Sequence, residues 1–237
     1  MNTLLLLHGQ LGSPEDFFFL ENLKTSNSLR LVPLDLMDFQ GVSLIDFPEA
    51  LKKKLQELKV EEQFSLCAYS MGGRLALHYI CRYPETLRQA FILSAHPGLE
   101  NLSDKKQRLS RDEEWAEKIL KLEKDAFLKK WNEQAVFGDH KLQFSTDQYL
   151  MRREFYAWAF SHWSLGRQDN LRNPLLKTDL PVHFLAGQRD EKFVSILKEM
   201  PRIINKFSFE VVLGAGHRLL SEGSEDVTTW LEKKMEI

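Results

Sequence analysis

Cysteine is almost absent from the 237 residues: there are only Cys67 and Cys81. Each sits in an apolar stretch, which excludes a disulfide framework or a thiolate metal site and suits a reducing cytoplasm. Also missing is an excess of charge of either sign. Lys and Arg number 32 against 34 Asp and Glu, a formal net charge of -2, so no uniform field would draw the chain to nucleic acid or a membrane surface. Nor is there a long hydrophobic run. The apolar stretch Thr3–Leu7 is only five residues long before His8-Gly9. Without a basic start or a cleavage-type tail, it is too short for a signal peptide or a membrane span. Repeats and low-complexity segments are lacking too. The expectation is a soluble cytoplasmic protein, long enough for one large α/β domain with or without a small insertion.

What is present is alternation of short apolar runs with helical patterns. Leu4–Leu7 is a continuous apolar run of the kind a strand buried on both faces carries. Asp16–Leu23 reads as a helix, Leu29–Leu36 as a strand, and Leu44–Leu58 as an amphipathic helix with Leu44, Phe47, Leu51, Leu55 and Leu58 at helical spacing. Phe64–Ala68 is a strand, Leu75–Tyr83 a helix stopped by Pro84, and Ala90–Ser94 a strand. Repeated strand-then-helix alternation predicts a parallel, doubly wound sheet. After Gly98 the pattern changes to charged helices, with capping-box signatures at Ser110/Glu113 and Ser145/Gln148. Strands return at Val182–Leu185 and Glu210–Leu213, and Val227–Met235 closes as a helix. The reading is an α/β core over 1–98 and 172–237, with a helical lid inserted at 99–171.

The segment Ala68-Tyr69-Ser70-Met71-Gly72 lies at a strand-to-helix turn, with small residues two positions either side of the serine. That spacing suits a bend so sharp that the two backbones nearly touch and the Ser70 hydroxyl stands exposed. Asp190 and His217 follow in chain order, each just past an apolar strand and beside small residues. In a parallel sheet all three strand ends share one edge. Asp190 would accept the His217 Nδ1 proton, leaving Nε2 to take the proton of Ser70. Arg74, four residues after the serine, would aim a bidentate fork at the mouth of the site, suiting a carboxylate. Arg108, Arg111 and Arg152 come from the lid. Arg152 shares a helical face with Phe155, Tyr156 and Ala159, yet periodicity does not choose between it and Arg153. Several arginines gathered in a near-neutral chain suggest a small polyanionic substrate.

This elbow and this triad order resemble the α/β-hydrolases. In that fold the N–H of Met71 and an N–H from the His8-Gly9 loop would form the oxyanion hole, by position that of Gln10, with Leu11 the alternative. Further motifs are more specific: Tyr69-Ser70-Met71-Gly72-Gly73-Arg74, His96-Pro97-Gly98-Leu99, Arg108 with Asp112 and Trp115-Ala116, Trp131 and Phe137, Arg152, Gly187-Gln188-Arg189-Asp190-Glu191-Lys192-Phe193 and Gly216-His217. Together they resemble the 2-succinyl-6-hydroxy-2,4-cyclohexadiene-1-carboxylate synthases of menaquinone biosynthesis, over nearly the whole chain.

The resemblance implies a lyase on a hydrolase scaffold. It would eliminate pyruvate from 2-succinyl-5-enolpyruvyl-6-hydroxy-3-cyclohexene-1-carboxylate without metal or organic cofactor, using the triad as a base. It also implies that Arg74, Arg108 and Arg152 bind substrate carboxylates, with Tyr69 and Trp131 shaping the pocket. A serine carboxylesterase or C–C bond hydrolase acting on a small acid is the alternative, since the same triad performs acyl transfer. The chain departs from the family at Ala68 (usually glycine), at Leu36–Gln40 (often Pro-Gly-His-Gly), and at Arg218-Leu219-Leu220, where a second histidine is common. The last alters the rim of the pocket. Oligomeric state is left open by the sequence.

Overall fold

The computed structural model describes residues 2–23, 29–60, 63–138, 140–199 and 207–236. Six strands form one sheet: β1 Asn2–Leu7, β2 Leu29–Leu34, β3 Phe64–Tyr69, β4 Leu87–Leu93, β5 Val182–Gly187 and β6 Phe207–Val212. Their order is β2-β1-β3-β4-β5-β6, and every neighbouring pair is parallel. The chain first steps outward from β1 to β2, then crosses back to β3. That reversal opens a crevice beyond the carboxyl ends of β1 and β3, where ligands bind in open parallel sheets.

Burial on both faces explains the unbroken apolar strands. Leu5 and Leu7 pack with Leu66, Leu75 and Phe184 on one side, while Leu4 and Leu6 meet Phe17, Phe91 and Trp230 on the other. Helices α1 (Phe47–Glu57) and α2 (Ser70–Arg82) pack against each other and connect the first strands. The helix expected over Asp16–Leu23 is instead a 3-10 stretch, Pro14–Asn22, opened by Ser13 and Asp16 in a reciprocal cap. β2 stops at Leu34, because Asp35 accepts from the Met37 N–H and starts a 3-10 turn at Leu36–Phe39. β6 begins at Phe207, earlier than expected, and Leu213 lies beyond it, 78% exposed.

Between β4 and β5 the described residues are helical, with α3 Leu102–Lys121, α4 Lys124–Asn132 and α5 Thr146–His162. The start expected at Ser110 is wrong. Asn101 precedes a single helix in which Ser110 is an interior residue, so the Ser110/Glu113 spacing caps nothing. The box signature is local, and packing of α3 along α5 outweighs it. Ser145 does cap α5, accepting from the Gln148 N–H at 3.0 Å. An aromatic cluster of Trp115, Phe127, Trp131, Tyr149 and Phe160 fills the space among these helices. Both ends of the segment meet at one point: the Leu171 N–H donates to the Pro97 carbonyl at 2.7 Å, and Arg172 donates to that of Gly98 at 2.7 Å.

The chain closes through α6 (Arg172–Leu175), α7 (Glu191–Glu199), α8 (Leu219–Glu222) and α9 (Ser224–Met235). Among the described residues no helix is long and apolar enough to cross a membrane.

Candidate active site

Ser70 is the first residue of α2, and its φ of 51° lies in the left-handed region that non-glycine residues avoid. Close packing holds it there. The Gly72 N–H donates to the His8 carbonyl at 3.1 Å, and a Cβ at Gly72 would collide with the carbonyl oxygens of Leu7 and His8. A Cβ at Gly73 would fall 2.5 Å from that of Ala95 and 3.2 Å from the Ala68 carbonyl oxygen, so the helix start lies close on the strand it leaves.

His217 comes from the loop after β6, and Asp190 from the tight turn after β5. Asp190 Oδ2 accepts from His217 Nδ1 at 2.6 Å, and His217 Nε2 lies 3.1 Å from Ser70 Oγ. Asp190 and His217 are 3% and 7% exposed. In this arrangement the carboxylate sets the tautomer that leaves Nε2 free to take a proton. The imidazole is boxed by Phe193, with ring centroids 4.8 Å apart, and by Tyr69 at 5.8 Å. The Tyr69 hydroxyl donates to the His217 carbonyl at 2.9 Å, tying the elbow to the histidine loop.

A cavity of about 660 Å³ opens onto these groups, within the range that encloses a small metabolite. Its walls include Gln10, Leu11, Tyr69, Met71, Trp131 and Phe137. Among the described residues, the N–H groups of Met71, Gln10 and Leu11 have no backbone carbonyl to donate to, the condition an oxyanion donor must meet, so Gln10 and Leu11 both stay open as the second donor. Arg74, Arg108, Arg111, Lys192 and Arg218 also line the cavity.

The arginines differ in what restrains them. Arg74 is 7% exposed and donates through Nη1 to Gln168 Oε1 at 3.2 Å; Gln168 in turn donates to the His96 carbonyl at 3.0 Å. Burial, then the nearby Arg108, pushes Arg74 down to about 9. The Asp112 carboxylate acts the other way; a guanidinium keeps its proton in proteins, so Arg74 is a buried cation hydrogen-bonded, among the described residues, to a neutral amide. Arg108 gives its Nε to both oxygens of Asp112 at 2.8 Å, leaving its two terminal nitrogens unused by that pair. Arg111 donates to Gln134 at 2.6 Å. Lys192 is pushed down by burial and by Arg108 and Arg111, a further sign of concentrated positive charge.

Arg152 is not among the residues lining the cavity. Both of its terminal nitrogens are taken by Asp35, at 2.7 and 2.5 Å. Its face of α5 is the one that packs down on the loop after β2.

Comparison with known proteins resolves the ancestry. The family model described as alpha/beta hydrolase fold matches residues 2–224. A protein of Yersinia pseudotuberculosis serotype O:3 (strain YPIII), named 2-succinyl-6-hydroxy-2,4-cyclohexadiene-1-carboxylate synthase, is 30% identical over 207 residues, covering 83% of this chain and 75% of that protein. The chain belongs to this synthase family of the α/β-hydrolase fold.

Among solved structures, MenH from S. aureus superposes with a TM-score of 0.83 at 22% identity, over 100% of this chain and 95% of that one. A thermophilic esterase from Thermogutta terrifontis, with malate bound, gives 0.78 at 18% identity over 100% and 90%. At such identities the likeness is one of fold, shared by synthase and esterase alike.

Within this synthase-family chain, reasoning from sequence missed two residues at the site. Gln168 orients Arg74 but is an ordinary polar residue in a loop, with no periodicity to mark it. Arg218 was visible only as a departure from the family pattern. Its side chain reaches back to the end of α4 and to His140 in the segment that follows, contacts no local pattern encodes.

Proposed function

We propose that the protein is a cytoplasmic lyase of menaquinone biosynthesis that acts on a small polycarboxylate. It eliminates pyruvate from 2-succinyl-5-enolpyruvyl-6-hydroxy-3-cyclohexene-1-carboxylate to give 2-succinyl-6-hydroxy-2,4-cyclohexadiene-1-carboxylate. The observation that carries this reading is the buried Arg74, held by a neutral amide beside an aligned Ser70–His217–Asp190 set. An enzyme for neutral esters gains nothing from an unneutralised buried cation, whereas a carboxylate-bearing substrate supplies the missing charge.

The chemistry balances without an added reactant. Ser70, acting with His217, removes the proton on the ring carbon next to the succinyl carbonyl. The electrons of that C–H bond form a new ring double bond, the existing double bond shifts by one position, and the C–O bond to the enolpyruvyl group breaks. Enolpyruvate leaves and takes up a proton to become pyruvate. The N–H groups of Met71 and of Gln10 or Leu11 would hold the developing enolate oxygen. Asp190 would stabilise the imidazolium formed in between. Arg74 and Arg108 would bind carboxylates, and Tyr69 and Trp131 would shape the walls.

The test is pyruvate release from the substrate generated in situ, with the enzyme-free rate subtracted, for wild type and Ser70→Ala. Release by wild type that falls by about 10³-fold or more in the variant supports the reading, given what loss of a triad nucleophile costs. Absence of release above background, accompanied by turnover of short acyl esters, would make the protein a serine hydrolase instead.

A further inference from the structure

The cavity's positive groups divide by the charge of what holds them. Arg108 is tied to Asp112; outside the cavity, Arg152 has its two terminal nitrogens on Asp35. Among the described residues the side-chain hydrogen-bond partners of Arg218 are neutral: Nη1 donates to the His140 carbonyl at 2.9 Å, and Nη2 to Asn132 Oδ1 at 2.7 Å. Its guanidinium lies 4.2 Å from the centroid of the Phe137 ring. The carboxylate in its own loop, Glu222, is occupied by the Arg189 guanidinium at 2.7 Å and by the N–H groups of Gly216 and Arg218. Two of the five guanidinium N–H groups are used in these contacts, which leaves donors for a ligand.

Position completes the argument. Arg218 directly follows His217 and lines the same cavity as Ser70 and Arg74. Phe137, on which it rests, is itself 6.1 Å from the His217 ring. Arg74 stands beside the loop after β4, and Arg218 lies in the loop after β6, so the two guanidinium groups enter the cavity from different strand ends. The burial that pushes Arg218 down to about 10 acts in the same direction as at Arg74.

We propose that Arg218 binds a carboxylate of the substrate directly, so that with Arg74 it requires an anionic group at each end of the ligand and selects di- and tricarboxylates. The identity of that substrate rests on the function proposed above; the existence of the anion site does not. Arg218 takes the role that the family resemblance would give to Arg152, which does not line the cavity and has a carboxylate, Asp35, on both terminal nitrogens.

The experiment compares wild type, Arg218→Gln and Arg218→Lys in two readouts. One is KM and kcat for pyruvate release. The other is labelling of Ser70 by a neutral phosphate triester, with and without tricarballylate as a protecting tricarboxylate. The expected result is a KM at least tenfold higher in Arg218→Gln and intermediate in Arg218→Lys, with kcat within threefold and triester labelling slowed by less than threefold. A KM within threefold of wild type overturns the proposal. So does joint loss of kcat and labelling, which would make Arg218 a brace for the His217 loop. If wild type releases no pyruvate, the proposed function fails but the anion site is still read: half-protection by tricarballylate should need at least tenfold more of it in Arg218→Gln, and equal protection overturns the inference.

Discussion

Replacing Gln168 with Glu would test whether the neutrality of Arg74's partner matters. Gln168 Oε1 accepts from Arg74 Nη1 at 3.2 Å; a carboxylate there would attract the guanidinium by about 5 kcal/mol at an effective dielectric near 20. A substrate carboxylate docked on the far side of the same guanidinium would sit roughly 7 Å from that new charge and be repelled by about 2 kcal/mol. At about 1.4 kcal/mol per factor of ten, KM should rise by roughly 30-fold. The change also removes the donor to the His96 carbonyl, at about 1–3 kcal/mol. Gln168→Met removes that donor too, without adding charge, and serves as the reference. The assay is the ratio of KM values for the Glu and Met variants in pyruvate release, at matched folding by circular dichroism. A ratio near one would refute the claim that Arg74's free charge captures substrate.

Three further outcomes follow from the same structure. His96 and His78 are pushed down to about 3 and 4, by burial first and nearby cations second. Both stay neutral in the folded state while an unfolded histidine protonates near pH 6.5, so stability should be full above that pH and decline as pH falls toward 4, by up to about 2 kcal/mol per residue at pH 5; urea midpoints at pH 7.5 and 5 in wild type and His96→Gln check this, and a slope unchanged in the variant would contradict it. Gly72→Ala forces a Cβ into the carbonyls of Leu7 and His8 and should cost more than about 3 kcal/mol or abolish expression; a thermal midpoint within about 2 °C of wild type would count against the elbow geometry. Arg152→Met strips the fork from Asp35 and should destabilise by about 1–3 kcal/mol while raising KM less than Arg218→Gln does; the opposite ranking would return Arg152 to the substrate.

The strand-and-helix frame was legible because it is written in short-range pattern. Leu4–Leu7 is an unbroken apolar run, and Phe64–Ala68 and Val182–Leu185 are each apolar but for one residue, Ser65 and His183, as parallel strands buried on both faces require. The triad was legible for a related reason: each member ends a strand, and the sheet gathers strand ends at one edge. What sequence could not reach is which partner each arginine meets. The spacing that placed Arg152 beside Tyr156 was correct, yet Asp35, far away in the chain, decides its use. The Ser110 signature likewise fitted a helix start, and only the packing of α3 on α5 shows the helix passing straight through it.

Closure of the helical segment at Pro97 and Leu171 has a consequence for how this architecture can change. Because the chain leaves the sheet and returns to it through one clipped point, everything between those residues can lengthen, shorten or be exchanged without altering the pairing of β4 with β5. Ser70, Asp190 and His217, the residues proposed to move the proton, lie outside the clipped segment, as do Arg74 and Arg218, whereas Arg108, Arg111, Trp131 and Gln168 lie within it. Part of the recognition surface is therefore inheritable apart from Arg74 and Arg218, and a chimaera exchanging 98–170 between two relatives should alter the fit of the ligand's middle while keeping the requirement for carboxylates.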